Sequence, residues 1–175
     1  MPKPLSTTAS PTPPAAPCAG GALAIDFHGG GEGTGNDFAT IVIRNTGSVV
    51  CQLNGPVLLA GRDTSGAVDT QVLRYSTAPG LVLTGNTQPV AEGQEVPPGI
   101  GVLTLVAEYR DDPTSPNGLC VAHRVVPTSW RITWADGTTT AVANHDPHQA
   151  VRLGESQFLT CRGLLGTAEP ITSGD

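Results

Sequence analysis

The sequence predicts an all-β domain that folds as a two-sheet antiparallel sandwich of immunoglobulin-like type, with about seven to nine strands. Three observations indicate this fold. Apolar residues alternate with other residues at a period of two in many short runs. No run of ten or more residues carries the apolar stripe of a helix. Gly, Pro, Asn and Asp recur between the runs, as turns between short strands require.

The chain of 175 residues divides into three parts. Residues 1–17 hold six prolines and few apolar side chains, so we expect a disordered Pro/Ser/Thr-rich linker in extended polyproline-like conformations. Residues 18–163 have the size of one domain and are expected to form the sandwich. Residues 164–175 are expected to be a flexible tail.

The first half of the domain contains a series of strand patterns. Leu23, Ile25 and Phe27 alternate with smaller or polar residues and predict the first strand. The glycine-rich stretch 28–36 is expected to connect it to a strand over residues 37–45, whose two apolar faces are typical of a central strand. Further strands are expected at residues 49–53, 57–60 and 68–75.

The second half begins with the longest irregular stretch of the domain. Residues 78–99 are rich in Gly, Pro and Gln, and residues 81–83 are their only strand candidate. Alternating apolar residues then predict a long strand over residues 103–109. Near the end of the domain, strands are expected at residues 151–153 and 157–162.

The clearest hairpin starts with Trp130 and Trp134, which share one strand face with Ile132. An Asp-Gly pair at 136–137 predicts a two-residue type I′ turn into a returning strand over residues 138–144. We expect both indoles to lie in the core, because the chain has few aromatic rings to fill it. On an open face they would instead be ligand-binding residues that stack on sugar rings.

Four cysteines, at Cys18, Cys51, Cys120 and Cys161, predict disulfides, because their number is even and their spacing is unlike that of metal ligands. Four cysteines allow three pairings. We favour Cys18–Cys51 and Cys120–Cys161, which would place one bridge in each half of the domain.

Disulfides persist in oxidising compartments, which predicts an extracellular or cell-surface location. The chain shows no apolar run of about 18 residues and no signal-peptide pattern. We therefore expect a signal or anchor segment upstream of Met1 to have been removed.

The charge of the chain restricts its partners. The net charge is −6, with one lysine and eight scattered arginines, which disfavours binding to nucleic acid or anionic lipid. We expect an unknown protein or envelope component as partner, no cofactor, and membrane contact only through the removed anchor.

A set of residues resembles a known signature. It comprises Cys18 before the first strand, Asn45-Thr46-Gly47, Cys51, Leu53, Gly55-Pro56, and two later cysteines. This layout resembles the actinobacterial domain-of-unknown-function family numbered 4232, over residues 18–163. The resemblance implies a secreted or lipoprotein β-sandwich behind a Thr/Pro/Ser-rich linker, and it supplies no catalytic residues.

Two motifs imitate catalytic or metal-binding sequences. His28 and the three glycines after it match the HGGG oxyanion loop of esterases, but the chain has no GxSxG nucleophile elbow, so we interpret them as part of a strand connection. Residues 111–117 are rich in Asp and Asn, but Pro113 occupies the third ligand position of a calcium loop.

A metal site is conceivable at His145, Asp146 and His148, with His123 or His28 as a further ligand. We favour exposed loop residues instead, because a proline between the two histidines fixes a loop and not a helical face.

The sequence as a whole predicts a non-enzymatic extracytoplasmic or cell-envelope domain of unknown molecular role, acting as an interaction or binding module. A module that binds cell-wall glycan is one alternative, and a secreted metal-binding protein is another.

Overall fold

The computed structural model describes residues 14–33, 36–67, 73–91, 94–108, 124–125, 127–144, 160–161 and 170–174. A 3₁₀ turn, Gly20–Ala22, precedes the strands. The strands are β1 (Leu23–Gly33), β2 (Asn36–Asn45), β3 (Cys51–Gln52), β4 (Val57–Arg62), β5 (Leu73–Tyr75), β6 (Val82–Leu83), β7 (Gly101–Glu108), β8 (Arg124–Val125), β9 (Ser129–Thr133), β10 (Thr139–Ala143), β11 (Thr160–Cys161) and β12 (Thr172–Ser173).

The predicted all-β antiparallel sandwich is confirmed. Sheet 1 has the strand order β1-β2-β7-β12 and sheet 2 the order β10-β9-β4-β5. Two short ribbons, β3-β6 and β8-β11, complete the described pairings. Seven of the described strands have three or more residues, and the other five have two.

The core lies between the inner faces of the two sheets. Because side chains alternate along a strand, every second side chain points into this core. Ile41 and Ile43 of β2 point inward from sheet 1, and Trp130 and Ile132 of β9 point inward from sheet 2. All four side chains are fully buried. The period-2 pattern therefore identifies the core residues of β9, whereas β2 is apolar on both faces.

The Cys18–Cys51 disulfide is present, as the sequence predicts. Around it the chain at Pro17 runs parallel to Gln52 of β3. The Cys18 N–H donates to the Gln52 carbonyl oxygen at 2.9 Å, and the Gln52 N–H donates to the Ala16 carbonyl oxygen at 2.8 Å. Closing the loop between the two cysteines, which are 33 positions apart, removes about 3–4 kcal/mol of unfolded-state entropy in the chain-entropy account. Cys120 lies outside the described residues, so the Cys120–Cys161 pairing stays a prediction.

The sequence predicts that the glycine-rich stretch 28–36 connects two strands, but in the structure most of it belongs to the first of them. Its backbone continues β1 as far as Gly33, with a register irregularity between His28 and Gly31. The partner strand β2 correspondingly starts at Asn36. Glycine permits the irregularity because it tolerates bulged backbone geometry.

The hairpin between β9 and β10 also differs from the predicted type I′ turn. The Gly137 N–H donates to the Trp134 carbonyl oxygen at 3.0 Å, and the Trp134 N–H donates to the Thr138 carbonyl oxygen at 2.9 Å. Among the loop residues only Gly137 has a positive φ, of 83°. This is a three-residue loop with glycine in the left-handed position. The Asp136 carboxylate favours it by accepting the Thr138 N–H at 2.9 Å.

Part of the predicted flexible tail belongs to the sandwich. Thr172 and Ser173 form β12, which pairs with β7 at the edge of sheet 1. Ile171 is fully buried in the core, and its N–H donates to the Ser76 carbonyl oxygen at 2.8 Å. Residues 170–174 are therefore docked, because one isoleucine fills a place in the core that the sequence pattern does not identify.

Candidate functional site

A concave surface of the described chain is formed by residues 84–100, of which the structure describes all but residues 92 and 93. We call this stretch the covering segment and its concavity the loop groove. The groove has a volume of about 370 Å³, within the range of small-ligand sites. Its apolar lining residues are Pro89, Val90, Pro97, Pro98 and Ile100, and its polar ones are Thr84, Thr87, Gln88, Gln94 and Glu95.

The two ends of the covering segment are held together. The Thr84 N–H donates to the Gly99 carbonyl oxygen at 2.8 Å. Gly99 has a φ of 83°, and a Cβ atom there would lie 2.1 Å from the Thr84 Oγ1. Only glycine fits this position without strain, because it tolerates both the left-handed backbone and the close approach.

The first part of the covering segment is attached to the end of β2 and the turn after it. The Asn86 N–H donates to the Gly47 carbonyl oxygen at 2.7 Å. The Thr87 N–H and hydroxyl both donate to the Asn45 carbonyl oxygen, at 3.1 and 2.9 Å. These bonds replace strand pairing, so the segment is ordered without belonging to a sheet.

A charged pair lies beneath the covering segment on the outer face of sheet 1. Arg44 of β2 forms a two-point ion pair with the carboxylate of Asp26 on β1, with Nη2 3.2 Å from Oδ1. A third bond joins Arg44 Nη1 to the Thr87 carbonyl oxygen at 3.1 Å. Arg44 is only 8% exposed. Since a buried guanidinium needs partners for its donors, Arg44 links the covering segment to the sheet.

A histidine forms a second link between sheet and segment. The His28 Nε2 lies 3.0 Å from the Val90 carbonyl oxygen, so this nitrogen carries the hydrogen. The bond fixes the imidazole against the wall of the loop groove. His28 therefore acts as a support for the groove, which neither the HGGG motif nor the metal hypothesis anticipates.

The far wall of the groove is supported by the C-terminal segment. The Gly99 N–H donates to the Ser173 Oγ at 3.1 Å, and the Gly174 N–H donates to the Ile100 carbonyl oxygen at 2.9 Å. The C-terminal residues Ser173 and Gly174 are thus hydrogen-bonded to the end of the covering segment and support this wall of the groove.

The chemistry of the groove suits binding by contact and hydrogen bonding. Gln88, Gln94 and Glu95 are exposed, and their amide and carboxylate groups supply donors and acceptors beside apolar proline rings. Ile100, at the base, is buried. Among the described residues there is no group of three or more His, Cys, Asp or Glu side chains that could hold a metal.

The structure places both tryptophans in the core. Trp130 is fully buried and Trp134 is 4% exposed. The Trp130 Nε1 donates to the Asn144 Oδ1 at 2.7 Å, and the Trp134 Nε1 donates to the Thr140 Oγ1 at 2.9 Å. These two rings therefore offer no surface on which a sugar could stack, because satisfied indoles between two sheets have no open face.

The other candidate residues are not placed by the structure. His145, Asp146 and His148 lie outside the described residues, as do His123 and residues 111–117. The metal-binding hypothesis at the two histidines stays a prediction.

The loop groove was not found from the sequence, although a signal for it was present. Residues 78–99 form the longest irregular stretch of the chain, and long irregular stretches within compact domains are usually functional. Among the residues that hold the segment in place, Arg44 and its ion-pair partner Asp26 carry no sequence motif.

A second and smaller concavity, of about 230 Å³, lies beside the disulfide. Alanines, a proline and two valines account for much of its lining. Val49 and Val50, at its border, are 71% and 46% exposed. It has fewer polar groups than the loop groove and therefore less capacity to orient a ligand.

Within the described ranges no helix is long and apolar enough to cross a membrane. Comparison of the chain with protein-family models, with curated proteins and with solved structures finds no match.

Proposed function

We propose that this chain is a non-enzymatic binding module of the cell envelope, and that it binds an extended segment of a partner protein in the loop groove. The observation that carries the proposal is the way the groove is held. Hydrogen bonds from β1, β2 and the C-terminal segment fix its wall. A preformed groove binds more tightly than a mobile loop, because less conformational entropy is lost on binding.

The lining favours a protein partner over a glycan. None of the described residues that line the groove is aromatic, whereas sugar rings are commonly held by stacking on aromatic side chains. Gln88 and Gln94 offer amide groups that match the N–H and C=O groups of an extended peptide. Prolines and an isoleucine supply the apolar contact area beside them.

An extracytoplasmic location is part of this proposal. The Cys18–Cys51 disulfide supports it, because such bonds persist in oxidising compartments. The bridge also fixes the start of the domain at the end of the Pro-rich residues 1–17. Because Ala16 and Pro17 already pair with Gln52, only the part before them would act as a spacer. Peptide mapping of the native protein without reductant tests this location, and four free thiols in protein from its own cells would contradict it.

Membership of the family numbered 4232 is likewise a proposal. The local structure around its signature supports it. The Asn45 Oδ1 accepts the Gly47 N–H at 3.0 Å, and the Asn45 Nδ2 donates to the Val49 carbonyl oxygen at 2.8 Å. Asn45 thereby shapes the turn that leads to Cys51, which gives the Asn-Thr-Gly sequence a structural role.

Site-specific photo-crosslinking on the cells of origin tests the binding function. A photoreactive residue at Gln94, in the groove, is expected to give a covalent adduct with an envelope protein. The same residue at Ser65, which is exposed in the turn after β4, serves as the matched control. Equal labelling at both positions, or none at Gln94, would count against the proposal, and adducts with glycan alone would favour the wall-glycan alternative.

The metal-binding alternative is separable by calorimetry. Wild-type protein and a His145→Ala/His148→Ala variant are each titrated with zinc or calcium ions. We expect the two proteins to give the same heat, with no saturable binding in the wild type. A saturable heat that disappears in the variant would establish the metal site in place of the envelope module.

A further inference from the structure

Strand β10 lies at the edge of sheet 2. In the part of the chain that the structure describes, its only strand partner is β9, on one side. A strand at a sheet edge presents unpaired N–H and C=O groups, which only another extended backbone satisfies completely.

The pairing with β9 determines which backbone groups face outward. The Trp134 N–H donates to the Thr138 carbonyl oxygen at 2.9 Å, and the Asn144 N–H donates to the Thr128 carbonyl oxygen at 3.0 Å. In an antiparallel ladder, hydrogen-bonded pairs alternate with non-hydrogen-bonded pairs. The residues at odd positions, Thr139, Ala141 and Ala143, therefore direct their N–H and C=O groups away from β9.

This edge lacks the protection that sheet edges usually carry. Charged side chains, prolines and bulges block edge pairing in natural proteins, and the sequence Thr-Thr-Ala-Val-Ala of β10 contains none of them. Strand β1, at the edge of sheet 1, differs because its register is irregular between His28 and Gly31. Of these two neighbouring edges, β10 is the one suited to pairing.

We propose that β10 pairs with β10 of a second copy of this chain, antiparallel across a two-fold axis at Ala141. In this register Ala141 faces its own copy, and Thr139 of each chain faces Ala143 of the other. The outward-facing N–H and C=O groups of one copy then pair with those of the other, because each odd-numbered residue of β10 lies opposite an odd-numbered residue of the second copy. Two copies of sheet 2 would become one continuous sheet, through an interface in which each copy uses the same surface.

The side chains beside the axis permit this approach. Thr139, Ala141 and Ala143 are small and exposed, so they do not separate the backbones. The nearest described charge on the same outer face is Arg131, which is the cross-strand partner of Ala141. Arg131 and its copy would be three strand spacings apart, about 14 Å. That separation exceeds the Debye length of about 8 Å at physiological salt, so their repulsion is weak.

The contact is small, which sets the expected affinity. Two strands of five residues bury less than the roughly 1,000 Å² of a stable interface. The dimer should therefore form only at high local concentration, as when many copies stand side by side on a surface.

Sedimentation velocity of the full chain, from about 10 μM to about 1 mM, tests the proposal. We expect a reversible shift from monomer to dimer within this range. Ala141→Pro should weaken dimerisation at least about tenfold, because proline removes the outward-facing donor, while the Ala141 N–H plays no part in the ladder with β9. Retained thermal stability and circular dichroism would show that the variant is folded.

A charge substitution supplies a second readout with a matched control. Ala141→Lys should abolish dimerisation by placing two ammonium groups together at the axis. Thr104→Lys, at an exposed position of β7 in sheet 1, should leave it unchanged. A wild-type chain that stays monomeric up to about 1 mM would overturn the proposal, and so would Ala141 variants that dimerise like the wild type.

Discussion

The outer faces of the two sheets differ in what covers them. On sheet 1, Val42 is fully buried and Arg44 is 8% exposed, although both point away from the core. On sheet 2, Leu58 and Arg131 occupy outward positions and stay half-exposed. The covering segment accounts for the difference at Arg44, because the Thr87 carbonyl oxygen accepts a hydrogen bond from the Arg44 guanidinium. An ordered stretch without regular secondary structure thus helps to bury a charged side chain on the outer face of one sheet.

The largest expected effect comes from removing the cation on the covered face. Arg44→Met should destabilise the protein by about 2–3 kcal/mol, because it leaves the Asp26 carboxylate and the Thr87 carbonyl without their donor. The partial exposure of Asp26, at 29%, keeps the loss below that of a fully buried pair. Urea unfolding measures the change.

The control for this substitution is Arg131→Met on the open face, which should change stability by less than about 0.5 kcal/mol. A similar loss of stability for the Arg44 and Arg131 variants would contradict the interpretation that the outer face of sheet 1 is covered and that of sheet 2 is open. An Asp26→Asn/Arg44→Met double variant should recover part of the loss, because it removes the unpaired carboxylate.

Truncation of an apolar residue on the covered face should have the next largest effect. Val42→Ala is expected to cost about 2 kcal/mol, because its side chain is fully buried and its truncation leaves a cavity. Leu58→Ala on the open face should cost about 1 kcal/mol, although it deletes more atoms. Thermal unfolding of the two variants tests this order, and a larger loss at Leu58 would reverse the interpretation.

Two glycines with the same backbone conformation allow a sharper comparison. Gly99 and Gly137 both have a φ of 83°. A Cβ at Gly99 meets Thr84, whereas a Cβ at Gly137 has nothing within 4 Å. Gly137→Ala should therefore cost about 1 kcal/mol for backbone strain alone.

Gly99→Ala should cost about 1 kcal/mol more than Gly137→Ala, because it adds the clash with Thr84 to the same strain. It should also speed amide hydrogen exchange within residues 84–100 while leaving the hairpin of sheet 2 unchanged. Equal stabilities and equal exchange patterns for the two variants would show that the ends of the covering segment are not held as described.

The smallest expected effect is the pH dependence of the hairpin between β9 and β10. The Thr138 hydroxyl and then the Gly20 N–H hold the pKa of Asp136 below its ordinary value of 3.8. A carboxyl group with a lowered pKa in the folded state stabilises the fold fully above its unfolded value. That contribution is lost as the pH falls through the folded value.

The stability of the wild type should therefore decline from about pH 4 downward, and Asp136→Asn should flatten this decline. Unfolding curves at several pH values below 5 test it. A decline of the same steepness in both proteins would assign the acid sensitivity to other carboxyl groups.

Much of the fold could be predicted from the sequence, because in many strands the alternation of apolar and polar residues shows which face points into the core. The alternation in β1 and β9 identified core residues directly, whereas β2 is apolar on both faces. The Cys18–Cys51 pairing was one of three possibilities until the structure brought the parallel segments 16–18 and 51–52 together. The hairpin was located correctly but not its turn type, since the Asp136 side chain selects the three-residue loop.

The candidate site could be predicted far less well. The composition of residues 78–99 indicated only an irregular stretch. Its position depends on single hydrogen bonds to Asn45, Arg44 and His28. Such contacts leave no periodic trace in a sequence, because each joins one residue to another at a large separation along the chain.

The sequence by itself determined the all-β class, the core faces of the principal strands and the presence of disulfide chemistry, because these follow from local alternation and from residue type. Only the tertiary structure decided which sheet face is covered, which charges are buried and where a groove opens. It also placed Ile171 in the core, since one apolar residue after an irregular stretch has no partner until the sheets assemble.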